Sequence, residues 1–553
     1  MLRGARGVGM RRLGILGALG LAALFGLGAL GLVDYDEAAY GEVARAMLRS
    51  GDWLVPRMCG AEFFEKPPLL YWSAAAGMEL LGVGPAGVRL CTALAGLLAP
   101  LALYGFARRP LGERAAFAAG LVLASSLEIA VLARIAFTDM LLALFFVVCL
   151  GALHRAFEAP ERGTRWFVTA CLASALAVLT KGAIGLLLPG AAALAELALR
   201  GRLRDALRPG WIALALAIVV GLGFSWYLAL GLTRPNGFAF MRSLFLEHHL
   251  GRFSRPMQGH GGGPFYYVPV VLLGMFPWSL LLPVAFARVR WRGDGEDVRL
   301  VRLFAVFSAI TFVFFSIAAT KLANYVAPVL PGLALAIGGL AANAAPSRAL
   351  AVSRACTVAL AVLAAAALLA LPLLPEQLPR LLGSHAELRP GLAEPLELGH
   401  GGAFAAAALV AGAVAFAFAG RRERGWLGLA AASVAAYTIL FQTVLVRVDE
   451  QLSGPLRRLA VQAAQSTAPG EPLLLLGVRH RPSVCFYAER PTRFATASGA
   501  RWAERDIFGA DAPKLGLTSE PQLGRFPQRE RLQVVARDGG YVLFRTSAGD
   551  SAR

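Results

Sequence analysis

The chain has 553 residues, 57% of them hydrophobic and 16% charged, and a formal net charge of +19. So little charge against so much apolar surface excludes a water-soluble globule built around one core and points to a polytopic membrane protein. The positive excess does not point to nucleic acid, because the arginines fall in short clusters between apolar runs and not on one basic face.

Arg3, Arg6, Arg11 and Arg12 precede an apolar run from Leu13 to Val33, long enough to cross roughly 30 Å of hydrocarbon. No small-residue cleavage site stands before the charged segment after it, so the run reads as an uncleaved first transmembrane helix with its N-terminus in the cytoplasm. Directly after it, DYDEAAYGEVARAML (34–48) and FFEKPPLLYW (63–72) set acids and a lysine beside the membrane. Ionisable groups are costly there and mark sites of chemistry or binding. A helix continuing from Tyr35 puts Tyr40, Val43, Ala44, Met47 and Leu48 on one apolar stripe, as in a helix lying flat on the bilayer. Asp36 and Glu37 then stand at its positively polarised N-terminus, Gly51 just past its end, and Trp53 in the headgroup layer.

Further apolar runs lie near 86–107, 115–133, 140–157, 165–180, 183–199, 211–231, 265–287, 300–319, 323–342, 351–374, 402–420 and 425–446. With the first they make about thirteen helices by the twenty-residue criterion. Residues 69–82 are too short for a span and read as interfacial or re-entrant. Starting inside, each cytoplasmic turn is basic: Arg108, Arg109 and Arg114; Arg155, Arg162 and Arg165; Arg200, Arg202, Arg204 and Arg208; Arg288, Arg290 and Arg292; Arg348; and Arg421, Arg422 and Arg424. The long connections 34–85, 232–264 and 375–401, and the tail, then face outward. In the second of these, residues 238–253 place Met241, Leu244, Phe245 and His248 at helical spacing, with Glu247, His249 and Arg252 able to face the first loop.

From about residue 447 the pattern changes. LRRLAVQAAQ reads as a helix, and PLLLLGV, SVCFYAE and RLQVVARDGGYVLFR as strands, the last with a turn at Asp538-Gly539. The expected fold is an all-α polytopic membrane protein over 1–446, with outer interfacial loops 34–85 and 232–264, followed by a small periplasmic α/β domain over 447–553. Of the six cysteines, Cys91, Cys149, Cys171 and Cys356 lie inside apolar runs. Cys59 and Cys485 can both face an oxidising compartment, but no paired motif links them and a bridge is not expected. The seven histidines show no metal-ligand spacing; no cofactor is called for, and a need for a divalent metal stays open.

Only four of the 54 basic residues are lysine: Lys66, Lys181, Lys321 and Lys514. Three of them fall at outer ends of the expected helices, together with Glu65 and the helix-end acid Asp139. A compact ammonium approaches a phosphate as a point charge, which accounts for residue type and place together. Snorkelling explains one such lysine as well, but three on one face with two acids favour a site. Arg252 is the further candidate for holding a phosphate.

These stretches, in order, resemble the glycosyltransferase C superfamily, specifically its aminoarabinose transferase and protein O-mannosyltransferase branch. The likeness rests on DEAAYGEVARAMLRSGDWLVPR, FFEKPPLLYW, AFTDMLLAL, LTKGAIGLLLPG, FLEHHLGRF with PFYYVPVVLLGMFPW, and TKLANYVAPVLPGLAL. It implies an outward-facing cavity where a sugar passes from a polyprenyl phosphate carrier to an envelope lipid such as lipid A, a glycan or a protein. Asp36 matches the first-loop acid and Asp139 the second; Glu65 and Lys66 match the carrier-phosphate motif, which Lys181 and Arg252 would extend. Glu37, Tyr40, Lys321 and Tyr325 would line the pocket. The chain has Ala39 where aminoarabinose transferases often carry an arginine before the tyrosine that Tyr40 matches, so sugar and acceptor stay open. The alternative is a transporter or flippase of a lipid-linked precursor, whose ionisable residues would sit near mid-bilayer between repeats. Here they gather at the outer ends, and no repeat is evident.

Overall fold

A computed structural model describes residues 2–546 except 159, 236, 239–241, 243–250, 255–260, 344, 375–389, 391–395, 421, 467, 469, 479–480, 496–506, 508–514 and 527–528. The expected helix over 238–253 and Lys514 therefore lie largely or wholly outside the described residues. Among those described, eight helices are long and apolar enough to cross a membrane, or ten if each of two bent pairs is one span. The molecule is thus a mostly helical, multi-span protein with a small sheet domain at its C-terminus.

The apolar runs and the helices agree closely at Pro85–Ala107, Thr138–Glu158, Gly163–Lys181, Ile184–Leu199 and Gly401–Ala419. Several others are broken where the sequence suggested continuity. The 265–287 run divides into Tyr267–Gly274 and Ser279–Arg288, bent by 108°, and the 211–231 run into Pro209–Gly223 and Ser225–Thr233, bent by 54°. Apolar composition registers the solvent and not the path, so it does not reveal such breaks. The first helix also differs: it runs Leu2–Leu21, followed by a 3₁₀ turn at Ala22–Leu24, so residues 25–33 do not extend it.

The segment 69–82 forms a thirteen-residue helix, Leu69–Leu81, too short to span. It packs hard against Pro85–Ala107, where a Cβ at Gly77 would collide with the carbonyl oxygen of Gly87. Only glycine admits so close a crossing. The acidic helix is Asp36–Ser50, closed by Gly51 at φ 69°, whose N–H bonds the Met47 carbonyl.

That helix is not a one-sided amphipath. Residues 37 to 45 are all buried, because the tail covers the face expected to meet water. In the tail, strands β3 (Leu473–Leu476), β4 (Thr492–Ala495), β5 (Leu515–Ser519), β6 (Leu532–Asp538) and β7 (Tyr541–Thr546) form one sheet in the order β4-β3-β5-β7-β6; β1 (Arg57–Met58) and β2 (Ala61–Glu62) form a separate hairpin in the first loop. The turn at Asp538-Gly539 joins β6 to β7 as expected.

SVCFYAE, expected as a strand, is instead the helix Pro482–Ala488. The reason is topological: β3 and β4 pair in parallel, and a parallel pair needs a crossover, which this helix supplies. Val484 and Ala488 fill the tail core while Phe486 packs against the first-loop helix. The unexpected bridge also lies here. Cys59, in the turn of the β1-β2 hairpin, is bonded to Cys485 with their Cα atoms 5.6 Å apart. Their separation of 426 residues kept the pair out of reach of any spacing rule.

Candidate functional site

Thr138–Glu158 and Gly163–Lys181 are consecutive antiparallel helices, so position 139 at the start of one and position 181 at the end of the other fall at the same end of the bundle. Each charge suits its own helix, the acid at an N-terminus and the cation at a C-terminus. Lys181 Nζ donates to Asp139 Oδ1 at 2.5 Å, and both residues are buried. The other oxygen, Oδ2, accepts from Asn324 Nδ2 at 2.6 Å and from the Thr138 hydroxyl at 3.4 Å. Lys181 Nζ also stands 4.0 Å from the centre of the Tyr325 ring, an attractive cation–π placement.

The first loop closes the opposite wall. Asp36 and Tyr40 are four residues apart on one helix and therefore share a face; with Lys66 they line one cleft with Asp139, Lys181, Asn324 and Tyr325. Two prolines place Lys66: Pro67 disfavours helix at the residue before it, and the Leu69–Leu81 helix begins directly after Pro68. Glu65 lies close by. Burial, with the charges of Glu65, Asp36 and Asp34, pushes the Tyr35 phenol up to about 12.

Two of the candidate residues are engaged elsewhere. Glu37 is fully buried and faces Arg89, not the cleft. Arg89 Nε and Nη2 each donate to its carboxylate at 2.7 Å, and the amides of Val33 and Ala136 donate at 2.9 and 2.8 Å. The rest of the guanidinium bonds the carbonyls of Leu27, Leu30 and Gly31 at 2.7 to 2.9 Å. All five guanidinium donors are matched, the condition under which a buried pair is tolerated. Because Ala136 lies three residues before Asp139, the pair positions the loop that carries that acid. Lys321 is likewise turned away, donating to the carbonyls of Phe315, Ser316 and Ala318 at 3.3, 2.7 and 2.8 Å, where it caps the Glu296–Ile317 helix. Arg252 begins a helical turn, Arg252–Ser254, and its side chain falls outside the described part of the protein.

Sequence reasoning missed Asn324, which stands in the TKLANY stretch directly before Tyr325. An amide there can bond a carboxylate without bringing charge, a role that only the partner's position reveals. It also missed the tail as part of the site's frame. Ser483 N–H donates to Asp34 at 2.9 Å, and the Tyr487 hydroxyl accepts from the Leu32 amide at 2.9 Å, so the tail grips the segment that leads into Asp36.

Residues 65–227 match the family described as dolichyl-phosphate-mannose-protein mannosyltransferase. An undecaprenyl phosphate-alpha-4-amino-4-deoxy-L-arabinose arabinosyl transferase from Edwardsiella ictaluri is 33% identical over 310 residues, 55% of this chain and 54% of that one. The chain spans about half the length of the curated relatives it matches. The apo structure of ArnT from Cupriavidus metallidurans superposes with a TM-score of 0.76 at 25% identity, covering 98% of each chain. A second structure of that protein, bound to undecaprenyl phosphate, gives 0.73 at 24% identity over 97% of this chain and 98% of that one. The likeness expected from the six motifs is therefore found, in sequence and in fold.

Proposed function

With the fold shared with an aminoarabinose transferase as premise, we propose that this chain is an integral-membrane glycosyltransferase moving a sugar from a polyprenyl phosphate carrier to a cell-envelope acceptor. The observation that carries the reading is the single cleft joining Asp36, Lys66, Asp139 and Lys181 at one end of the bundle. Transfer breaks the bond between the anomeric carbon and the phosphate oxygen, and the polyprenyl phosphate leaves with the electron pair. Cations already placed in a low-dielectric cleft stabilise that developing charge without reorganising. Lys66 takes this part, and Arg252, whose side chain lies outside the described residues, is the further candidate for it. Lys181 adds a cation whose position is held by Asp139, itself bonded by Asn324; of the two roles open to Asp139, gripping the sugar or gripping the lysine, the 2.5 Å contact favours the lysine.

Asp36 faces the same space and orients or deprotonates the acceptor. One direct displacement inverts the anomeric centre. The curated relative is named for an aminopentose on undecaprenyl phosphate, so a pentosyl donor is the first to try; Ala39 leaves lipid A, a glycan hydroxyl and a protein hydroxyl all to be tested as acceptors. The arginine bias supports an inner-membrane protein with its N-terminus in the cytoplasm and with cleft and tail in the periplasm. The Cys59–Cys485 bridge supports the same orientation, since disulfides persist in oxidising compartments. About thirteen spans, with the membrane domain ending near 446, remain the proposed layout. The test is single-turnover transfer in nanodiscs from a defined undecaprenyl phosphate sugar. Label appearing in an envelope acceptor supports the reading, and donor movement across the bilayer without transfer overturns it in favour of a flippase.

A further inference from the structure

The cleft lies where the Glu296–Ile317 helix ends and the Leu330–Asn343 helix begins. Toward the other end of both helices, roughly 20–30 Å away at 1.5 Å per residue, is a second cavity of about 590 Å³. Arg288, Arg290 and Asp297 form its polar side, and Leu111, Val301 and Leu340 belong to its apolar wall. At Val289 and Ala336 it meets an apolar groove of about 560 Å³, which runs along the same helices toward Val268 and Val329.

A charged mouth joined to a long apolar groove has the chemistry of an amphiphile, with a head for the one and a hydrocarbon chain for the other. The charges choose among amphiphiles. The Arg290 guanidinium is paired with Asp297, so these two cancel. Arg288 meets no carboxylate among the described residues; it donates to the Ala345 carbonyl at 3.1 and 3.2 Å and to the Ser347 hydroxyl at 2.7 Å. The mouth therefore keeps one positive charge, which attracts an anionic headgroup and repels the cation of a zwitterionic one. Trp291 lines the groove and is half exposed, as a residue of the headgroup layer is. This segment is held in shape: buried Arg302 grips Glu196 at 2.7 and 2.8 Å and donates to the Trp291 carbonyl at 3.0 Å.

We propose that the joined cavities bind an anionic phospholipid of the cytoplasmic leaflet, with the phosphate at Arg288 and an acyl chain in the groove. Basic pockets between helices on the cytoplasmic side suit such headgroups. The charged mouth is separate from the cleft and does not depend on what the cleft transfers.

The test is native mass spectrometry of the full chain in neutral detergent, with phosphatidylglycerol and phosphatidylcholine of matched acyl chains at equal concentration. Phosphatidylglycerol is retained preferentially, and Arg288→Gln weakens that retention about fivefold, the effect of one interfacial charge, with phosphatidylcholine unchanged. Gly339→Leu gives a second handle: Gly339 lines the cavity and a Cβ there meets nothing within 4 Å, so the added side chain enters the cavity and lowers retention of both lipids. Lys66→Ala, in the cleft, alters neither. Equal retention of the two lipids, or no response to either Arg288→Gln or Gly339→Leu, overturns the proposal. Displacement of phosphatidylglycerol by inorganic phosphate would overturn it in favour of a simple anion site, and sensitivity to Lys66→Ala would assign the bound lipid to the cleft.

Discussion

Asp36 and Glu37 are adjacent acids whose environments assign them opposite duties, and substitution separates the two. Glu37→Gln leaves Arg89 buried without its anion, which costs about 3–5 kcal/mol; folded yield and thermal stability in detergent should fall sharply. Asp36→Asn removes a carboxylate that lines the cleft, so the fold should persist while the transfer rate drops at least about a hundredfold if the acceptor is a hydroxyl, which must lose a proton as it attacks. A phosphate acceptor is already ionised and should show a much smaller loss. Single-turnover rates with donor binding measured separately distinguish these cases, and a fully active Asp36→Asn on a hydroxyl acceptor removes Asp36 from the base role. Lys66→Ala should abolish transfer and weaken donor binding, whereas Lys514→Ala should do neither. Normal turnover of Lys66→Ala at matched protein level would mean that the ammonium only snorkels.

Among the elements, the first-loop helix matters most, because it is clamped between the membrane helices and the tail helix Pro482–Ala488. The Cys59–Cys485 bridge ties the β1-β2 hairpin to that tail helix, seven residues before Lys66. Closing so long a loop stabilises by about 2–4 kcal/mol in typical cases. Cys485→Ser should therefore make the tail and the 57–62 hairpin more open to limited proteolysis, and a reductant acting on the unaltered protein should give the same cleavage pattern. Unchanged proteolysis in both would show that the polar contacts of Asp34, Leu32 and Arg49 with the tail suffice without the bridge.

At the scale of the molecule, the arginine bias makes a prediction independent of any activity. A reporter active only in the periplasm should work when fused after Gly51 or after residue 450 and fail after Arg109 or Arg422. A cytoplasmic signal from the C-terminal fusion would detach the tail from the face that bears Asp36, although the tail's contacts with Asp34 and Leu32 place the two together in the fold.

The sequence by itself determined the membrane character, most helix positions and the end of the bundle where the charges meet. These rest on quantities each residue carries alone: apolarity over twenty positions, the penalty on ionisable groups beside hydrocarbon, and arginine at helix ends. Asp139 and Lys181 were each legible at that end for the same reason, but their contact with one another was not. What depends on a partner far along the chain was not legible. Glu37 and Asp36 look alike until Arg89 arrives from the next long helix, and Lys321 looks like a pocket cation until the carbonyls it caps are seen. SVCFYAE carries strand-forming residues, but the parallel pairing of β3 with β4 requires a helix between them. The cysteines joined 426 positions apart belong to the same class. Only the tertiary structure decided these, because a local pattern records what each residue prefers and not which distant group meets it.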